Sequence, residues 1–197
     1  MEPVKIDLKK FEGWQKRNLD LVMQRLNIPL RIRPIILQKG IPPIEHLQSF
    51  NSMYIHGESG TGKTVLAVQF LLGMMAYRYA CGNIISGCFI SIPELFLNFR
   101  DSFHTADGPS EKTLLDRYDD YDLLVLDDLG VQNTTDWSFQ LLYMLINRRY
   151  DNMDPMIITS NYSLSELQEQ MKDDRIPSRL YEICDVIEQK HQYRHTL

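Results

Sequence analysis

At 197 residues the chain is one domain, or one domain with an appendage, long enough to bury a full core. Hydrophobic residues make up 44% and charged residues 24%, the ordinary globular balance, and no apolar run approaches the length of a membrane span. The net charge of −5 divides unevenly: residues 1–40 hold nine Lys/Arg against four Asp/Glu, while residues 41–197 carry −10, which argues against general coating of duplex nucleic acid.

The opening Met-Glu-Pro-Val-Lys lacks a signal-peptide apolar region, so a cytoplasmic protein with no membrane partner is expected. Leu8, Phe11, Trp14, Leu19, Val22, Met23 and Leu26 recur at helical spacing among lysines and arginines. They predict a basic amphipathic helix, broken near Gly13. Its charge suits nucleic acid or an acidic partner, and equally a solvated helix face. Pro29, Pro34, Pro42 and Pro43 make residues 27–45 an irregular connector. The chain is thus expected to divide into a 1–45 extension and a 46–197 nucleotide-binding domain.

Met53–His56 reads as a short buried strand, followed by Gly57-Glu58-Ser59-Gly60-Thr61-Gly62-Lys63-Thr64, which matches G-x-x-x-x-G-K-[ST] at every fixed position. Val65–Tyr79 continues as a helix. A strand, a glycine-rich turn and a helix N-terminus bring backbone N–H groups and about half a positive charge onto phosphates. Lys63 would reach the β- and γ-phosphates of a nucleoside triphosphate, ATP by expectation, and the Thr64 hydroxyl would hold Mg2+.

Beyond it, Cys88–Ile92 reads as a strand and Pro93–Phe103 as a helix. Ser110 caps a helix from Glu111, and Leu123–Leu126 is a buried strand ending in Asp127-Asp128. Thr135 or Asp136 caps a long helix to about Tyr150, and Met156–Thr159 is a strand. Ser163 with Glu166 forms a capping box, and a helix near Ser178–Cys184 precedes a strand near Val186–Gln189. Cys81, Cys88 and Cys184 have no C-x-x-C spacing and read as buried reduced thiols. Strands alternating with helices mean an α/β fold, a parallel sheet covered on both faces, with ligands at the carboxyl ends of the strands. There Asp127 would serve the magnesium sphere, Asp128 would be a general base for an attacking water, and Asn161 could orient that water.

These segments, Gly57–Thr64, Leu123–Gly130 and Ile157–Asn161, resemble the AAA+ ATPases, and more narrowly the DnaC/DnaI helicase-loader group with its transposition relative IstB. The similarity covers roughly residues 27–197, and the Asp-Asp-Leu-Gly ending carries much of it. The resemblance implies an AAA+ P-loop fold with a five-stranded parallel sheet of order 5-1-4-3-2 and a short N-terminal helical extension. It makes Asp127 the magnesium-side acid, Asp128 the catalytic acid and Asn161 the γ-phosphate sensor.

Arg175-Ile-Pro-Ser-Arg179-Leu180 is similar to the family's R-x-x-x-R-L segment, which implies that Arg179 reaches the ATP site of a neighbouring subunit in a ring or spiral. His191-Gln-Tyr-Arg194 resembles the ending whose arginine contacts the nucleotide of its own subunit. An arginine finger of this kind is worth on the order of 10³–10⁵ in rate. Phe96, Leu97, Phe99 and Phe103, with Arg100 and His104, fall where this family contacts single-stranded DNA, although a Phe/Leu stripe at this spacing is read first as helix core.

The resemblance therefore implies an ATPase that loads a replicative DNA helicase onto single-stranded DNA. Loaders of the family usually carry a separate helicase-gripping domain; here about fifty residues precede the phosphate loop, without a cysteine for a zinc-bearing version. Helicase grip would then fall to the Leu8–Leu26 helix or elsewhere. The alternatives are an IstB-like transposition helper, an ATP-switched adaptor with little turnover and, more distantly, a P-loop small-molecule kinase.

Overall fold

The computed structural model describes residues 7–48, 50–104, 108–130 and 135–190. Among them the strands β1 (Ser52–His56), β2 (Gly87–Ser91), β3 (Leu123–Leu129), β4 (Met156–Ser160) and β5 (Cys184–Glu188) form one sheet in the order β2-β3-β4-β1-β5. Every pairing is parallel; Tyr54, for example, lies opposite Ile158 on one side and Val186 on the other. Read from the other edge, this is the expected 5-1-4-3-2 order. Such strands must be apolar on both faces, and β1, β3 and β4 are: Met53, Ile55, Leu123, Val125 and Ile157 turn to one side, Tyr54, Leu124, Leu126, Met156 and Ile158 to the other.

The first face is covered by α4 (Lys63–Ala80), through Ala67 and Leu71. The second is covered by α5 (Ile92–His104), α6 (Glu111–Asp119), α7 (Asp136–Asn152), α8 (Leu164–Met171) and α9 (Arg175–Ile183). Sequence signals start these helices as expected: Ser110 caps α6, Thr135 caps α7, and Ser163 with Glu166 forms a reciprocal capping box on α8.

The N-terminal segment differs from its sequence reading. α1 (Leu8–Arg25) runs unbroken through Gly13, where Arg17 Nε donates to the Gly13 carbonyl. The stretch expected to be irregular contains α2 (Arg33–Lys39), because Pro34 falls in its first turn, where a missing N–H costs nothing. α3 (Ile44–Gln48) follows. The apolar sides of α1, α2 and α3, including Phe11, Trp14, Met23, Ile36 and Leu47, close over the face of α4 turned away from the sheet. The apolar stripe of α1 is therefore spent on the core, and its described exposed side chains are Lys9, Lys10, Arg17 and Arg25, the acids Glu12 and Asp20, Gln24, Leu8 and Leu21.

The aromatic stripe on α5 is core, as its spacing suggested: Phe96 and Phe99 are buried, while Leu97 and Arg100 are exposed. The side chains of Phe103 and His104 are not among those described. The three cysteines are free thiols, each only partly buried. No described helix is long and apolar enough to cross a membrane.

Candidate active site

The carboxyl ends of β1, β3 and β4 meet at the loop Gly57–Gly62, which delivers the chain into α4. Gly57, Gly60 and Gly62 adopt positive φ of 148°, 86° and 93°. At Gly57 a β-carbon would stand 2.3 Å from the Gln189 carbonyl oxygen, so this position admits glycine for space as well as for φ. Glu58 and Ser59 are exposed at the loop tip, and the buried Thr61 donates its hydroxyl to the Glu58 carbonyl at 2.9 Å.

Lys63, the first residue of α4, is buried, and its ammonium donates to the carbonyls of Gly57 and Glu58, both at 2.9 Å, and to Asn161 Oδ1 at 2.8 Å. Burial pulls its pKa down; the charges of Asp128 and Asp127 oppose that. The next residue, Thr64, donates its hydroxyl to Asp127 Oδ2 at 3.2 Å. The sequence-predicted residues Lys63, Thr64, Asp127 and Asn161 are thus brought together by direct hydrogen bonds.

Asp127 and Asp128 are set by a β-bulge. Leu126 faces Ile158 and Leu129 faces Ser160, so two acids on β3 oppose the single Thr159 on β4. Asp128 takes the left-handed conformation, φ 64°, which aspartate tolerates better than most residues. Thr159 holds both: its hydroxyl donates to Asp127 Oδ1 at 2.7 Å and accepts from the Asp128 backbone N–H at 3.0 Å. The bulge also returns Leu129 to the face of Leu126, where regular alternation would have turned it away. Burial pushes the Asp127 carboxyl above the ordinary carboxylate range; the Thr159 bond lowers it, the Asp128 charge raises it further, and the Thr64 bond and the Arg31 charge lower it.

Sequence reasoning passed over Thr159, Ser160 and Gln189. Ser160 donates to the Leu129 carbonyl at 2.7 Å and accepts from the Tyr162 N–H at 3.1 Å, fixing the turn that presents Asn161. Gln189 continues the β1–β5 pairing through its N–H to the His56 carbonyl at 2.7 Å, and its side chain donates to the Thr61 carbonyl at 3.3 Å. The only prior signal was a polar Thr-Ser pair ending an apolar strand.

Arg179 is not brought to this cluster. It lies on α9, where its partners are Asn147 and Tyr143 of α7 and the Arg175 carbonyl. Arg194 lies outside the described residues. A cleft of about 650 Å³ along α8 and the turn after it, lined by Ser165, Gln168, Glu169, Lys172, Asp173 and Asp174, contains none of the strand-end chemistry.

The IstB-like ATP binding protein family matches residues 39–195. The chain belongs to this family. It is 27% identical over 141 residues to the phage-like element PBSX protein XkdC of Bacillus subtilis (strain 168), covering 68% of this chain and 48% of that protein. It is 25% identical over 133 residues to the replicative helicase loader DnaC of Escherichia coli (strain K12), covering 66% and 49%. The chain thus spans about half the length of these curated relatives. Among solved structures, the DnaC helicase loader is 27% identical, with a TM-score of 0.61 over 91% of this chain and 99% of that one. AMPPCP-bound DnaA from Aquifex aeolicus shares the fold at 20% identity and a TM-score of 0.58, over 74% and 44%. The IstB-like family member described here is an ATP-binding protein with the AAA+ fold, as the phosphate loop and the Asp-Asp-Leu-Gly segment led one to expect.

Proposed function

We propose that this protein hydrolyses ATP with Mg2+ and uses the cycle to help place a replicative DNA helicase on single-stranded DNA. The observation that supports the hydrolytic part is two hydrogen-bonded groups, Asn161–Lys63 and Thr64–Asp127–Thr159, which adjoin through consecutive residues at the end of the phosphate loop. The similarity to named helicase loaders supports the client.

In this reading the backbone of Gly57–Thr64 and the Lys63 ammonium cradle the β- and γ-phosphates. The Thr64 hydroxyl and the Asp127 carboxylate, two hard oxygen donors already 3.2 Å apart, fit magnesium, which takes one or two protein oxygens and fills the rest of its shell with phosphate and water. The ion would supply charge neutralisation on the phosphate oxygens. Asp128 accepts a proton from the attacking water as its oxygen bonds to the γ-phosphorus, and ADP with inorganic phosphate leaves. Asn161 orients that water. Arg179 of a neighbouring subunit offsets charge on the γ-phosphate, and Arg194 contacts the nucleotide within its own subunit. The protein is accordingly a self-associating one, in ring or spiral form, acting in the cytoplasm.

The experiment is ATP hydrolysis against protein concentration, with and without single-stranded DNA, for wild type and Arg179→Ala. Specific activity that rises with concentration and with DNA, and collapses in the variant, is expected. Flat activity indifferent to DNA and to Arg179 would replace this reading with a monomeric ATP-switched adaptor. Tight ATP-dependent duplex binding at moderate salt would move it to the IstB-like transposition helper, whose family name the chain shares.

A further inference from the structure

Arg179 is held unlike the other arginines of its neighbourhood. Arg148 pairs with Asp116 at 2.7 Å and Arg175 with Asp173 at 2.8 Å, so each charge is matched by a carboxylate. Arg149 is fully buried on four backbone carbonyls. Among the described residues Arg179 has no carboxylate at ion-pair distance, and it remains partly exposed.

Its partners are nevertheless numerous and all uncharged. Nε donates to Asn147 Oδ1 at 2.5 Å, Nη2 to the Tyr143 hydroxyl at 2.9 Å and Nη1 to the Arg175 carbonyl at 3.0 Å. The guanidinium carbon stands 4.8 Å from the centre of the Tyr143 ring and 5.5 Å from that of Tyr150. Three of the five N–H donors of the planar fork are thereby engaged, leaving two for another acceptor. Asn147 is itself oriented, since its amide nitrogen donates to Asp151 Oδ2 at 2.7 Å, which turns its oxygen to Arg179. The acid one turn further on α9, Glu182, is taken by the Tyr150 hydroxyl.

We infer that Tyr143 and Asn147 of α7 are positioning residues, which hold the guanidinium of Arg179 on α9 in a fixed orientation with its positive charge unspent, ready for the phosphate of a neighbouring subunit. This rests on the reading of Arg179 as acting in trans. The physical argument is that a flexible arginine must otherwise lose its rotamer freedom at the moment of reaction, and neutral acceptors fix it beforehand without cancelling the charge that the phosphate is to feel. A carboxylate in the place of Asn147 would fix it equally well and neutralise it.

The test uses mixed full-length subunits at concentrations where wild-type specific activity has levelled off. Acceptor subunits carry Arg179→Ala and an intact phosphate site; donor subunits carry Lys63→Ala, so that hydrolysis reads only the arginine that the donor supplies. Donors with Lys63→Ala alone restore hydrolysis. Adding Asn147→Ala to the donor is expected to lower the restored kcat about tenfold, and Tyr143→Phe, which keeps the ring, about threefold, with KM for ATP unchanged. Both donors should keep their thermal midpoint, a quantity that a merely structural role would move instead of kcat. Full rescue by the Asn147→Ala and Tyr143→Phe donors overturns the positioning role while leaving Arg179 in trans. Absence of rescue by the Lys63→Ala donor, in mixtures shown by size to assemble, overturns the trans role and the positioning role with it.

Discussion

The ammonium of Lys63 donates to the side-chain oxygen of Asn161 at 2.8 Å, joining residues 98 positions apart. The bond ties the first residue of α4 to the residue that follows β4, so the group proposed to grip phosphate and the group proposed to aim water share one point in space. Lys63 also holds two carbonyls of its own loop, whereas Asn161 is exposed and can be removed without opening the core. The two should therefore separate kinetically. Asn161→Ala is expected to keep ATP affinity within about threefold and to lower kcat about 10²-fold, the usual scale for one lost polar group at the reacting centre. Lys63→Ala should lose binding itself. Calorimetric ATP titration beside steady-state hydrolysis checks this; equal loss of binding in both would make Asn161 a support for the loop.

Asp127 is expected to trade stability for function. Burial lifts its carboxyl pKa, with the Asp128 charge adding to the effect and the Thr159 and Thr64 bonds opposing it. A carboxyl whose pKa is higher folded than unfolded costs stability when ionised, and that cost fades as pH falls through the folded value toward the unfolded one. Asp127→Asn should melt above wild type at neutral pH without nucleotide, because the amide carries no charge to bury. Its advantage should shrink on acidification through that window. The variant should also lose the rise in melting temperature that Mg2+ with ATP gives wild type. Melting scans over a pH series, with and without Mg2+ and ATP, test both arms; a variant less stable than wild type at neutral pH would refute the cost assigned to this carboxylate.

Much of this site can be read from residue order alone, because its largest parts are local. A phosphate loop is a contiguous turn between a strand and a helix, and its eight residues are adjacent in the chain. The acids after an apolar run are likewise adjacent, and the sheet order followed from resemblance to a known fold. What was not legible depends on pairings between distant segments. The bulge at Asp127-Asp128 exists only in the register of β3 against β4, and the role of Thr159 exists only because that register leaves one residue facing two. Gln189 matters through its carbonyl, which every residue carries. In the N-terminal segment the prolines misled for a different reason: proline breaks a helix interior but is accepted in the first turn, which is where Pro34 lies.

The first glycine of the phosphate loop makes a prediction about backbone packing. At Gly57 a β-carbon would meet the Gln189 carbonyl at 2.3 Å, and φ is 148°. Gly57→Ala should lower stability by about 1–3 kcal/mol through backbone strain and weaken ATP binding, as the loop shifts to relieve the overlap. Because the obstacle is main chain, adding Gln189→Ala should not restore it. Gln189→Ala alone removes only the 3.3 Å bond to the Thr61 carbonyl and should cost less than about 1 kcal/mol. Urea denaturation of the three variants decides; rescue by Gln189→Ala would mean that side-chain crowding had been mistaken for a main-chain contact.

At the opposite end of the sheet, Arg149 gives the sharpest test of what holds the fold. Its guanidinium, fully buried, donates to the carbonyls of Tyr118, Asp119, Tyr121 and Pro155 at 3.3, 3.0, 2.9 and 2.8 Å. It thereby ties the turn before β3 to the turn before β4. Burial lowers its pKa, so the cation is held at a cost. Two effects compete on replacement by methionine: release from burying a charge, and the loss of the guanidinium by four carbonyls, of which Pro155 keeps the Leu124 N–H at 3.4 Å. A buried acceptor without a partner costs about 1–3 kcal/mol, and three of them, at Tyr118, Asp119 and Tyr121, outweigh the several kcal/mol recovered by removing one ion. Arg149→Met should therefore be destabilised more than Arg149→Lys, whose ammonium can still serve up to three of the carbonyls. Lysine is expected to cost about 3 kcal/mol, near a 6–12 °C fall in melting temperature, and ATP affinity of the folded protein should not change. Denaturation midpoints of the two variants measure the competition directly: if methionine proves the more stable, the cost of burying the charge outweighs the satisfaction of the carbonyls at this junction.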